Sequence, residues 1–180
     1  MVKYTLPLSE LNKELVIDIL KRHPELVECL RTNNLDKFFH KLYPFCPDNN
    51  IYKVVQFLYE SNVDVLSYLN YIPKCAFVYS PIEKEFIVPS HIEVIGRDAF
   101  ECSDIKSLKF EENSQLKEIG EYAFFSTNLL GDVYLPDSIE SLYLSAFQHT
   151  RVKSILAPGK CIIKDYSTMR DKVKAKLVIR

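Results

Sequence analysis

The groups in this chain best suited to chemistry are its thiols and imidazoles: Cys29, Cys46, Cys75, Cys102 and Cys161, and His23, His40, His91 and His149. Catalysis or metal binding by either type requires convergent partners at characteristic spacings. No C-x-x-C, H-E-x-x-H, G-x-S-x-G, P-loop or G-x-G-x-x-G occurs, and no two histidines share a short spacing. Four glycines are too few for long phosphate-cradling loops. One combination remains open: a pocket gathering His23, His40 and Cys46 would make the N-terminal half an enzyme with an unfamiliar site. The cysteine count is odd and the residues are scattered, so they are expected to be free thiols in a reducing compartment.

The totals point the same way. Hydrophobic residues make up 47 % of the 180 and charged residues 26 %, the balance of a soluble globular protein with a proper core. A net charge of −1 gives no general attraction to nucleic acid or an anionic membrane. The opening Met1-Val2-Lys3-Tyr4-Thr5-Leu6-Pro7 has no apolar export run, and no stretch is long enough to span a bilayer. A cytoplasmic location is expected. Only the end of the chain is biased, with Lys164, Arg170, Lys172, Lys174, Lys176 and Arg180 against Asp165 and Asp171. Without interleaved aromatics, that segment reads as a solvated cap rather than a nucleic-acid reader.

The elements that must position any site change period midway. Up to about Leu69 the apolar spacing is helical: Leu11, Leu15, Val16, Ile19 and Leu20; Leu26, Val27 and Leu30; Leu35, Phe38, Phe39 and Leu42; Ile51, Val54, Val55 and Leu58; and a short fifth group at Val65, Leu66 and Leu69. His23-Pro24, Asn33-Asn34, the Pro44–Asp48 loop and Ser61-Asn62 separate them.

Beyond Tyr71 an internal repeat takes over. Ala-Phe recurs at Ala76-Phe77, Ala99-Phe100, Ala123-Phe124 and Ala146-Phe147, at intervals of 23, 24 and 23 residues. Four residues before each Ala stands Ile72, Ile95, Ile119 or Leu142. Three before that, in the last three copies, stands Ile92, Leu116 or Ile139. Between the pairs runs L-x-x-L-x-L: Ile105, Leu108, Phe110; Leu130, Val133, Leu135; Val152, Ile155, Ala157. The first copy is imperfect, with Ile82, Phe86 and Val88. Pro89, Pro136 and Pro158 close three of the runs. A period in the low twenties with this strand motif specifies a solenoid, one strand per coil. The alanines leave room for the neighbouring coil. The Phe rings form a column in which each buried ring contributes roughly 1.5–3 kcal/mol. In the same alignment Cys102 shares a column with Ser126 and His149. Cys102 is expected to be a small buried filler, and His149 either a coil-end histidine bonded to backbone or a functional group exposed near the cap.

Val88-Pro89-Ser90-His91-Ile92-Glu93-Val94-Ile95-Gly96-Arg97-Asp98-Ala99-Phe100-Glu101-Cys102 resembles the BspA-type leucine-rich repeat, as does Leu116-Lys117-Glu118-Ile119-Gly120-Glu121-Tyr122-Ala123-Phe124. The resemblance covers about 72–158. In the fourth copy Tyr143 replaces the glycine, so an altered turn is expected there. The resemblance implies an interaction scaffold and names no partner. Short chains with a helical segment before such repeats are also similar to proteins encoded by bacterial viruses.

The expected architecture is therefore α+β: a short-helix cap or subdomain over 1–71, then a leucine-rich-repeat solenoid of three to four coils with a C-terminal cap over 72–180. The expected function is non-enzymatic protein binding, with no cofactor, metal, small-molecule substrate, nucleic acid or membrane. For a viral origin, the chain would be an inhibitor or adaptor acting on a host protein in the host cytoplasm; the rival is a virion-associated assembly component. The informative residues are those pointing away from the core between inward strand positions: Ile87, Lys109, Tyr134 and Leu156, and beside them Glu85, Ser107, Asp132 and Ser154. The first row is largely apolar where solvent is expected, which marks a contact surface unless the helical half or the tail covers it. Glu111-Glu112 reads as a solvated turn. Free-thiol titration of the denatured, unreduced protein is expected to return all five cysteines; a lower count would mean a disulfide.

Overall fold

A computed structural model of the chain describes residues 65–82, 84–164 and 175–180, with isolated positions between 18 and 59. The chain divides into two units, Met1–Leu69 and Asn70–Arg180. In the first, Asp18, Lys21, Arg22, Pro24, Glu25 and Glu28 have helical backbone, as do Val55, Gln56 and Tyr59. The rest of the four helices expected before Ser61 lies outside the described residues. Where a fifth helix was expected, the chain makes a single 3-10 turn, Val65–Tyr68; so short an apolar group closes one turn and no more.

The second unit is a parallel β-solenoid of about four coils. Each coil supplies one short and one long strand. The short strands are β1 (Tyr71–Ile72), β3 (Val94–Ile95), β5 (Glu118–Ile119), β7 (Ser141–Tyr143) and β9 (Ile162–Lys164). They pair in that order into one five-stranded sheet. The long strands are β2 (Glu85–Val88), β4 (Ser107–Phe110), β6 (Leu130–Tyr134), β8 (Arg151–Ala157) and β10 (Lys176–Ile179). These form two sheets, β2-β4 and β6-β8-β10. Ile72, Ile95, Ile119 and Leu142 line one inner wall, and Phe86, Leu108, Val133 and Ile155 the other, all buried.

Between the walls stands the Phe column. Phe77, Phe100, Phe124 and Phe147 are fully buried and stack nearly parallel, with centroids 5.0, 5.1 and 5.5 Å apart. The backbone sets that spacing. The amides of Phe77, Phe100 and Phe124 each donate to the carbonyl of the next coil's alanine, Ala99, Ala123 and Ala146, at 2.7, 2.7 and 2.9 Å. The hydroxyls one turn on cap the corner: Thr127 and Thr150 donate to the Phe124 and Phe147 carbonyls at 2.8 and 2.7 Å.

The corner requires unusual backbone. Cys75, Asp98 and Tyr122, each preceding an Ala, have left-handed φ of 54–56°. Tyr79, Cys102, Ser126 and His149, each two after a Phe, have φ of 54–57°. Such conformations cost about 1–2 kcal/mol per residue outside glycine. Here the neighbouring coil holds five of the seven: the Cys75, Tyr79, Asp98, Cys102 and Ser126 amides donate to Arg97, Glu101, Glu121, Phe125 and Gln148 carbonyls. The second column is therefore an outward corner, which corrects the expectation for Cys102 and favours the exposed alternative for His149. Cys102 is half-buried rather than a core filler, and His149 is exposed with its ring edge-on to Phe125 at 5.0 Å.

The glycines explain the irregular fourth coil. A Cβ on Gly96 would lie 2.7 Å from the Lys74 nitrogen and 2.8 Å from the Ile72 oxygen, and one on Gly120 would lie 2.8 Å from the Arg97 nitrogen. Tyr143 occupies the equivalent place in the fourth coil, and there the corner becomes a 3-10 turn, Leu144–Phe147, as its sequence led us to expect.

One inward assignment is overturned. Leu130 is exposed, and Leu129 is buried in its place. Leu129 stands four residues before Val133, whereas Ile105 and Val152 stand three before Leu108 and Ile155. The extra residue is absorbed where the β6–β8 register shifts between Gly131 and Asp132, with Gly131 at φ +80°.

At the C-terminal end, β10 pairs in register with β8 and extends the sheet. β9 is fastened by Lys164, which donates to Glu118 at 3.0 Å and lies 4.8 Å from the Tyr143 ring centre. Ser141 donates to the same Glu118 oxygen at 2.8 Å.

Phe124→Ala is expected to destabilise the protein by about 3–5 kcal/mol, because the rings on both sides of Phe124 lose a stacked neighbour. Urea unfolding monitored by circular dichroism checks this, and an unchanged midpoint would refute the column. A second expectation concerns acid. Burial raises the Glu118 pKa, but the hydrogen bonds from Lys164 and Ser141 outweigh it and the net shift is downward. A lowered folded pKa gives stability that is present above the ordinary carboxylate range and lost as pH falls through the folded value. Glu118→Gln should therefore destabilise at neutral pH and flatten the acid limb of a melting-temperature profile; parallel limbs would remove Glu118 from that role.

Candidate binding face

The outer surface of the long strands carries the residues singled out from sequence. Strand pairing places Glu85 beside Ser107 and Ile87 beside Lys109; across β6, β8 and β10, Asp132, Ser154 and Lys176 form one row and Tyr134, Leu156 and Val178 the other. Equivalent side chains on paired parallel strands stand about 4.8 Å apart. Ile87 is 49 % exposed and Tyr134 61 %, large values for an aliphatic and an aromatic on a sheet. Glu85, Lys109 and Asp132 are exposed as well, and Leu156 is half-buried between Tyr134 and Val178. Among the described residues the tail adds to the sheet edge rather than folding across it.

Charges on this face differ in how far they are committed. Lys109 forms an ion pair with Glu85 at 2.7 Å, and Ser107 donates to the same carboxylate at 3.3 Å. Arg180 donates to the Leu135 carbonyl at 2.7 Å and pairs with Asp137 at 3.0 Å. Two cations of the basic tail, Lys164 and Arg180, are thus used within the solenoid; Arg170, Lys172 and Lys174 lie outside the described residues. Asp132 and Tyr134 make no ion pair or side-chain hydrogen bond among the described residues. Exposed Leu130 begins the same strand; the Leu-Leu-Gly run at 129–131 was the signal for it.

Between β4 and β6 the face opens into a cleft of about 530 Å³. Its lining includes Leu108, Lys109, Glu111, Asp132, Tyr134 and Arg180. Glu111 is not merely solvated: it accepts the Ser90 amide at 2.8 Å. A second hollow lies on the corner side, where Arg97 pairs with Asp98 and Glu121 and its guanidinium carbon stands 5.8 Å from the Tyr122 ring centre. Tyr122, Phe125 and His149 continue it in edge-to-face contacts.

The thiols offer little chemistry. Burial raises the Cys75, Cys102 and Cys161 pKa values, keeping the weakly nucleophilic protonated form. All three are free. Cys29, Cys46, His23 and His40, and with them the pocket expected to join His23, His40 and Cys46, lie outside the described residues. Among the described residues no group of three His, Cys, Asp or Glu side chains is placed to hold a metal, and no helix is long and apolar enough to cross a membrane.

Coils of one period and stacked parallel strands define a repeat solenoid. The BspA type leucine rich repeat region matches the chain in six copies across residues 56–171, and the chain belongs to that family. The match extends beyond 72–158 at both ends. No curated protein and no solved structure matches the chain. Leucine-rich repeats commonly mediate protein–protein contacts, and their family is typically non-enzymatic.

Proposed function

We propose that this protein is a non-catalytic binding module whose contact surface is the strand face around Tyr134, with Glu85, Ile87, Lys109, Asp132 and Leu156 contributing. The observation that carries the reading is the exposure of Tyr134, 61 %, in a row with Leu156 and Val178 on rigid paired strands. An aromatic held on a sheet loses little conformational freedom on binding, and polar neighbours supply a rim. The partner is a protein. The host-directed version is an inhibitor or adaptor encoded by a bacterial virus and acting in the host cytoplasm; it rests on the resemblance of helix-plus-repeat chains to virus-encoded proteins.

Self-association is the second reading, as in an assembly component. Ile162 and Ile179, 66 % and 53 % exposed on the terminal strands β9 and β10, favour it. Size-exclusion chromatography with light scattering separates the two, since a stable homo-oligomer supports self-association.

Tyr134→Ala is expected to weaken binding of a partner captured from the native cell by about 1–2 kcal/mol or more. Its stability should stay within about 0.5 kcal/mol of the parent, as for other exposed positions. Paired melting and affinity measurements decide the matter. A sharp fall in stability with unchanged affinity would move the contact surface elsewhere.

A further inference from the structure

The long-strand face is interrupted at one place among the described residues. β2 pairs fully with β4, and β8 pairs with β6 on one side and β10 on the other, yet no register of paired residues links β4 to β6. The Leu130 amide reaches the Lys106 carbonyl at 3.3 Å, and beyond that point the two strands belong to separate sheets. On the opposite wall the same two coils stay in register through β3 and β5, with Phe100 and Phe124 stacked at 5.1 Å. The opening is therefore local to the outer strands.

Two departures from the repeat flank it. Leu116 stands six residues after Phe110, whereas Ile92 and Ile139 stand four after Val88 and Leu135. Glu111 also takes the place of the proline that closes the neighbouring runs. The longer turn includes left-handed Asn113. On the other side lies the β6 bulge at Gly131.

The cleft's charges are unequally spent. Its cations are committed, Lys109 to Glu85 and Arg180 to Asp137 and the Leu135 carbonyl. The Asp132 carboxylate, by contrast, has no ion pair or hydrogen bond among the described residues, and its neighbour in the row is the neutral Ser154. Tyr134, two residues on and on the same face, adds an aromatic ring without a hydrogen-bond partner of its own. Glu111 keeps one carboxylate oxygen beyond that bonded to Ser90. Open carboxylate acceptors beside an aromatic face are together complementary to one side chain: a planar guanidinium, with its five donors and its affinity for ring faces.

We propose that the cleft between β4 and β6 receives an arginine side chain of the protein partner, with Asp132 as its carboxylate acceptor and Tyr134 as its aromatic wall. This rests on the strand face being the contact surface and specifies what that surface recognises. It also gives the two repeat irregularities a common purpose, since a regular coil would close the sheet and leave no entry.

The probe is a ten-residue peptide of Ser, Thr and Gly with one central arginine, compared with otherwise identical peptides carrying citrulline or lysine. Binding to the full chain is followed by nuclear magnetic resonance, with Tyr134 assigned by its loss in Tyr134→Phe spectra. The arginine peptide is expected to bind below about 1 mM and to shift Tyr134 signals. Citrulline should weaken it about tenfold, as should Asp132→Asn, which preserves shape at an exposed position and should leave the melting temperature in place. Lysine should bind less well than arginine because it lacks the planar fork. Equal binding of the arginine and citrulline peptides, an unaffected Asp132→Asn variant, or no arginine-peptide binding at about 1 mM would each overturn the proposal. If a captured partner still loses affinity with Tyr134→Ala in those cases, the strand face stands and only the arginine assignment falls. If neither Tyr134→Ala nor Asp132→Asn alters capture, both fall.

Discussion

Parallel backbone pairing fixes the distance between successive coils at roughly 4.8 Å, and most of what is distinctive in this chain is a response to that number. A phenylalanine ring is thin enough to stack at this spacing, so the interior accepts Phe77, Phe100, Phe124 and Phe147 in an unbroken column. Alanine is small enough beside them for the Phe77, Phe100 and Phe124 amides to reach the next coil's carbonyl. Gly96 and Gly120 stand where even one carbon would strike the preceding coil's backbone. The left-handed corners are tolerated because the same spacing delivers a carbonyl to several of their amides. The repeated residues are thus several consequences of one distance.

This is why the fold was readable from the chain. In a solenoid a given position meets the same surroundings in every coil, so a physical demand shows as a column of like residues. The Phe, Ala and Ile columns were legible for that reason, and Tyr143 correctly marked an altered corner. The column of Tyr79, Cys102, Ser126 and His149 carried its own warning. Four side chains so unlike in size and polarity cannot share a core position; what they share is a backbone conformation on an outward corner. Leu130 was misplaced because an exact L-x-x-L-x-L motif favours it over Leu129. Spacing alone does not say which of two adjacent leucines turns inward; here the following glycine and its bulge decide.

The candidate face was legible as a set of positions but not as a shape. Alternation along a strand places Ile87, Lys109, Tyr134 and Leu156 outward without knowledge of the neighbours. It does not show that Leu156 is half-covered once β10 pairs alongside, or that Lys109 is already engaged by Glu85. Nor does it reveal a gap between two sheets. The signals for the gap were negative ones, a missing proline at Glu111 and a turn two residues too long, and these stand out only after the regular coils have been laid beside the irregular one.

The two sides of the same coils are built differently. On the short-strand side, five strands pair without interruption, and Glu118, Ser141 and Lys164 tie three successive strands together. On the long-strand side the sheet breaks once among the described residues. Since the continuous ladder and the Phe column both span the break, the outer strands can part there while the coils remain stacked. A site placed at that opening is held by rigid elements on both sides, which reduces the ordering cost of binding. The repeat can therefore tolerate a change at Asp132 or Tyr134 far more readily than one at Phe124: the first two touch only the surface, whereas the third carries the spacing on which every coil depends.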